Sequence, residues 1–123
     1  MYKSFKDMKV WQKAIDLAVK IFELTSNLPR CEDYGLTSQI RRSSCSVYGN
    51  ISEGFERATA ADKSYFYTIS KGSSSETQGH LEYGKRVKYF DPKIADSLIE
   101  EYQDVIHELN KIIVCPLSYL LLV

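Results

Sequence analysis

Apolar residues recur along this chain at steps of three and four, and no stretch alternates with period two for long. That pattern predicts helices and no strands. Val10, Ala14, Leu17, Ile21, Leu24 and Leu28 fall on one line, the seam of an amphipathic bundle helix. Trp11, Ala18 and Phe22 widen the seam on one flank, while Lys9, Gln12, Lys13, Asp16, Lys20 and Glu23 occupy the opposite face. Asp7 is placed to cap a helix over about 8–26, and Asn27 with Pro29 to end it.

A second helix is expected over about 36–57, opening after Gly35. Its bulky residues are few (Leu36, Ile40, Val47, Ile51), and Ser43, Ser44, Cys45, Ser46, Gly49, Ser52 and Gly54 stand between them. Leu36, Ile40, Ser43, Val47, Ile51 and Gly54 share one face, which must enter the core. Arg42, Ser46, Gly49 and Glu53 share another, roughly 130° away by helical geometry. Serine and glycine are poor helix formers on a solvent face, so this second face is expected to meet another protomer.

Thr59 should cap a third helix over about 60–89, with its seam at Phe66, Ile69, Ser73, Glu76, His80, Tyr83, Val87 and Phe90. Gly72, Gly79 and Gly84 inside it each cost about 1 kcal/mol against alanine, which points to close packing or a bend. Asp91-Pro92 is a helix start. It leads a fourth helix over about 92–114, with its seam at Ala95, Leu98, Tyr102, Val105, Leu109 and Ile112 and Pro116 closing it. Short connections between long amphipathic helices make neighbours antiparallel. The expected fold is all-α, an up-down-up-down four-helix bundle forming one domain over 1–123.

Charge restricts function. Lys+Arg and Asp+Glu both number 16, whereas a protein that lives on phosphate contacts carries a basic excess. The three cysteines have no C-x-x-C spacing, so neither a disulfide framework nor a zinc site is expected; reduced, mostly buried thiols are. The N-terminal residues carry no apolar signal region, and the C-terminal LSYLLLV is too short for a membrane span. The expectation is a cytoplasmic protein without a membrane partner.

No catalytic constellation is visible, and no cofactor is called for. Glu76 and His80 stand one turn apart in the third seam. Di-iron bundles use Glu-x-x-His on two helices, and this chain has none, so the expectation is a buried or interfacial polar pair. His107 falls on the outer face of the fourth helix. Lys85, Arg86 and Lys88 form the densest basic run, with Arg41 as a further contributor. They offer a patch for nucleic acid, with Tyr83, Tyr89 and Phe90 for base stacking. They equally suit a helix C-terminus.

Three motifs in order carry a resemblance: MKVWQKAIDLAVKIFELTSNLP (8–29), YGLTSQIRRSSCSVYGNISEGFER (34–57) and KGSSSE (71–76). Together they resemble the bacterial four helix bundle protein family, also known as ribosomal-RNA intervening-sequence proteins because some are encoded within insertions in large-subunit ribosomal RNA genes. The resemblance implies a left-handed bundle that assembles as a homopentamer. It also implies kinship with the accessory proteins of diversity-generating retroelements, pentameric bundles that bind nucleic acid and a reverse transcriptase. Where the family has a proline before Ala-Asn-Ile in its second helix, this chain has Tyr48-Gly49. Two readings follow: a non-enzymatic oligomeric scaffold and, as the alternative, an accessory protein for RNA or DNA.

Overall fold

The computed structural model describes residues 2–117. Most of the apolar C-terminal run lies outside the described residues. A 3-10 turn, Phe5–Asp7, precedes α1 (Lys9–Thr25). A second 3-10 turn, Arg30–Glu32, precedes α2 (Leu36–Glu56), followed by α3 (Ala60–Arg86) and α4 (Pro92–Val114). No strand occurs among the described residues.

Side-chain bonds between helices fix their directions. Trp11 Nε1 donates to Ser52 Oγ, and Arg41 Nε to Thr25 Oγ1, so partners on α2 descend as those on α1 climb. Ser43 pairs with Thr77, Ser46 with Ser73, and Lys63 with the Gly54 carbonyl, the same reversal between α2 and α3. Ser64 reaches Ile113, Gln78 reaches Ile99, and Lys85 reaches Asp96 between α3 and α4. Lys13–Asp104 and Lys20–Glu101 close the circuit between α1 and α4.

Thr59 and Asp91 cap α3 and α4 as their chemistry demands, Thr59 Oγ1 accepting from Asp62 N and Asp91 Oδ2 from the backbones of Lys93 and Ile94. Asp7 does not cap α1. Its carboxylate turns back to the backbone N–H groups of Lys3 and Ser4, closing a capping box around the first 3-10 turn. Buried Met8 then leads into α1 without a side-chain cap.

The expected seams of α2 and α4 are buried throughout, and so is most of that of α1. In α1 Thr25 is buried and bonded to the Ile21 carbonyl, while Leu24 is only half-buried and Phe22 lies exposed. The seam of α3 is displaced by one residue. Lys63, Tyr67, Ser70, Ser74, Thr77, Leu81 and Gly84 are buried, not the line through Phe66, Ile69, Ser73, Glu76 and His80.

The C-terminus of α3 stops at Arg86, short of Tyr89. The Gly84 carbonyl accepts from both Tyr89 N and Phe90 N, a closing pattern that needs a left-handed residue just past the helix. Lys88 supplies it with φ 68°. Phe90 folds back against Gly84, where a Cβ would collide with its ring. Lys88→Gly should therefore stabilise the fold by about 1 kcal/mol, and Gly84→Ala should cost about 2 kcal/mol or more through overpacking. Urea denaturation checks both; a Lys88→Gly midpoint below wild type would count against this reading of the turn.

A pH dependence follows from two core phenols. Burial pushes Tyr67 up to about 12 and raises Tyr102 as well. Tyrosine in the unfolded chain ionises near 10, so the folded state keeps protons that the unfolded state gives up. This stability is intact below pH about 10 and is lost as pH rises toward about 12, on the order of 2 kcal/mol for Tyr67. Denaturation midpoints at pH about 9 and about 11.5 should separate, and the Tyr67→Phe, Tyr102→Phe double variant should narrow that gap.

Candidate interaction face

The serine-rich parts of the sequence meet each other. Ser43 Oγ accepts from Thr77 Oγ1 at 2.8 Å, the Ser46 and Ser73 hydroxyls share a bond of 2.7 Å, and Ser70 Oγ donates to the Val47 carbonyl at 2.7 Å. Ser43, Ser70, Ser74 and Thr77 are all buried. Small side chains let the two backbones approach, and each buried hydroxyl finds the partner that a dry site requires. Gly54 completes the fit: a Cβ there would stand 2.6 Å from Tyr67 Cε1.

Lys63 is the unexpected member of this seam. It is 3% exposed, and its ammonium donates to the carbonyls of Gly54 at 3.3 Å and Phe55 at 2.6 Å. Both lie in the last turn of α2, where carbonyls lack their usual helical partners; that of Gly54 also accepts the Arg57 N–H at 3.3 Å. Burial lowers the Lys63 pKa, partly offset by the nearby Glu56 carboxylate. Nothing in the sequence distinguishes this lysine from its solvated neighbours.

Outside the serine seam lies a face that the protomer does not cover. Arg42, Ser46, Gly49 and Glu53 run along α2, with Ser46 half-buried through its bond to Ser73 and both charged residues exposed. A Cβ at Gly49, Gly72 or Gly79 would meet nothing within 4 Å. At one end Arg57 ties the face together, bridging Glu53 at 3.0 Å and lying over the half-buried Phe66 ring at 4.5 Å. At the other, His80 Nε2 stands 3.3 Å from Glu76 Oε2. That pair belongs to the protomer's surface and not its core, because the α3 seam runs one residue later. A notch of about 340 Å³ adjoins it, lined by Glu32, Gln39, His80 and Tyr83 among others.

The residues expected to form a basic patch are divided and largely neutralised. Arg41 faces α1, where it bonds Thr25 and lies over the Phe22 ring at 4.4 Å. Lys85 faces α4, held by Asp96 at 2.7 Å and Glu82 at 3.1 Å, and these two carboxylates raise its pKa. Arg86 bonds Glu82 at 2.8 Å. Lys88 is exposed at the turn, but Phe90, expected to stack on bases, is buried. Tyr89 donates to Glu32 at 2.9 Å. Held by Leu36 N–H and then by Tyr89, the Glu32 carboxyl stays below its usual range.

The cysteines correct a further expectation: Cys31, Cys45 and Cys115 are all exposed. Among the described residues no three His, Cys, Asp or Glu side chains gather to hold a metal, and no helix is long and apolar enough to cross a membrane. Between α1 and α4 a furrow of about 600 Å³ is lined by exposed Ile94, half-buried Leu24 and buried Leu98, and flanked by the Lys20–Glu101 bridge.

Four helices packed on one apolar cluster, with an inter-helix seam of hydroxyls, define an all-α four-helix bundle. The profile of the 23S rRNA-intervening sequence protein family matches residues 6–111, and the chain belongs to that family. Among solved structures it is similar to a protein of unknown function from the S23 ribosomal protein family of Bacteroides thetaiotaomicron. The two share 25% identity and a TM-score of 0.76, over 85% of this chain and 97% of the other. No curated protein matches it.

The glycines divide into two sets with opposite expected responses. Gly49→Ala, Gly72→Ala and Gly79→Ala should each stabilise the protomer by about 1 kcal/mol, since alanine is the better helix former and nothing is displaced. Gly54→Ala should destabilise it, because the Tyr67 ring must move. Thermal melts of the four variants, at a dilution where each runs as a single chain, check this; a destabilised Gly72→Ala chain would show that the face is not open.

Proposed function

We propose that this chain is a non-enzymatic scaffold that self-associates in the cytoplasm through the outer face of α2 and α3, as a pentamer in keeping with the family resemblance. The observation that carries the reading is the uncovered run of Gly49, Gly72 and Gly79 beside Phe66 and Ile69. Small residues let a neighbouring helix approach closely, and flanking apolar groups supply the area whose burial favours association. Arg42 and Glu53 stand on the same α2 face with opposite charge, which suits contacts between copies that meet in one register. A nucleic-acid accessory role has weaker support, because Lys85 and Arg86 are committed to carboxylates and the net charge is zero.

The test is solution mass. Sedimentation velocity should give a multiple of the 14.1 kDa protomer, five-fold for the pentamer. Gly49→Arg and Gly72→Arg should each reduce it to the protomer with helical circular dichroism unchanged. A wild-type chain that sediments as a protomer, or an arginine variant that still assembles, would overturn the proposal.

A further inference from the structure

We infer that association through this face is linked to proton uptake, with His80 as the group that takes up the proton and Glu76 as its counter-ion. The inference rests on the assembly reading above and concerns how that assembly is regulated. Its material is the one histidine on the face; the chain's other histidine, His107, is exposed on α4.

The surroundings of His80 can be named element by element. On α3 it faces Glu76, at 3.3 Å, and Tyr83. The second 3-10 turn contributes Glu32 across the notch, already occupied by Leu36 N–H at 3.0 Å and the Tyr89 hydroxyl at 2.9 Å. From α2 comes the neutral Gln39. One turn further along α2, Arg42 stands at the level of Glu76 and Thr77, the register set by the Ser43–Thr77 bond. The histidine therefore sits among two carboxylates and one guanidinium, and only Glu76 is in bonding range.

In the protomer, water carries much of the cost of this pair: the Glu76 side chain is 52% exposed and that of His80 26%. A second copy laid over the face removes that water. With His80 neutral, Glu76 is left as a carboxylate in dry surroundings, which is costly. With His80 protonated the two form a charge-assisted bond with no net charge. Association therefore favours the protonated form. The sign follows from linkage: an association that takes up a proton is favoured by acid and weakens as pH rises.

Sedimentation velocity of the full chain at pH about 5.5, 7 and 8.5 and constant ionic strength tests this. The association constant per contact should fall about tenfold across the series, the change that corresponds to one pH unit of preferential proton binding. His80→Gln should flatten the dependence. Glu76→Gln should keep the assembly at the alkaline end, since no carboxylate is then stranded, and should reverse the dependence, since a protonated His80 would then be covered without its counter-ion. His107→Gln should retain the wild-type slope. An assembly indifferent to pH, or one whose slope survives His80→Gln, overturns this inference alone. A chain that stays a protomer at every pH overturns the assembly reading, and this inference with it.

Discussion

Between α2 and α3 this bundle places hydroxyls where bundles ordinarily place leucines, and the rest of the molecule depends on that substitution. Ser43, Ser70, Ser74 and Thr77 are buried and each has a partner. A buried hydroxyl contributes only about 1 kcal/mol when bonded, but costs about as much or more when left without a partner. The seam therefore tolerates little error in register. A slip of one residue would separate Ser43 from Thr77 and Ser46 from Ser73 together, and would drive the Tyr67 ring off Gly54. The polar bonds specify the alignment, while the apolar cluster of α1, α2 and α4 supplies most of the burial.

The close approach has consequences at both ends of the pair. Where α2 turns into α3, the gap is narrow enough for Lys63 to cap α2 across the turn, a position in which a longer separation would leave its ammonium buried and unpartnered. Where α3 turns into α4, Phe90 packs on Gly84 in the same manner as Tyr67 on Gly54. Both aromatic rings take space that only glycine leaves. The left-handed Lys88 is then a cost accepted at the turn, because the chain must reverse within a few residues to deliver Phe90.

This arrangement explains which parts of the sequence were legible. The seams of α2 and α4 could be read directly, and most of that of α1, because their buried lines consist largely of branched apolar residues. The buried line of α3 contains one lysine, one tyrosine, two serines, one threonine, one leucine and one glycine. Hydrophobic periodicity has little to follow there, and it locks instead onto Phe66 and Ile69 on the neighbouring line. The offset of one residue leaves Glu76 and His80 outside the core, which removes the buried alternative for the pair and leaves the interfacial one. Asp7 departs from its expected place for a related reason: capping chemistry is visible in sequence, but the choice between two adjacent helical turns depends on how the preceding backbone folds back. The second face of α2 was legible as a pattern, since helical geometry alone puts Arg42, Ser46, Gly49 and Glu53 together.

The displaced line on α3 is itself informative. A periodic run at steps of three and four stands one residue off the core line, and the bundle leaves most of it half-buried or exposed. Gly72 and Gly79 each cost about 1 kcal/mol in a helix interior, and neither relieves a clash within the protomer, in contrast to Gly54 and Gly84. Solvation gives no account of them, because alanine, serine or lysine would serve an exposed helix better. On that surface Phe66 and Ile69 are half-buried, and the Ser46 and Ser73 hydroxyls bond each other. The outer face of α2 and α3 has three glycines at its centre with half-buried Phe66 and Ile69 beside them, and on both helices it is the opposite face that closes the bundle.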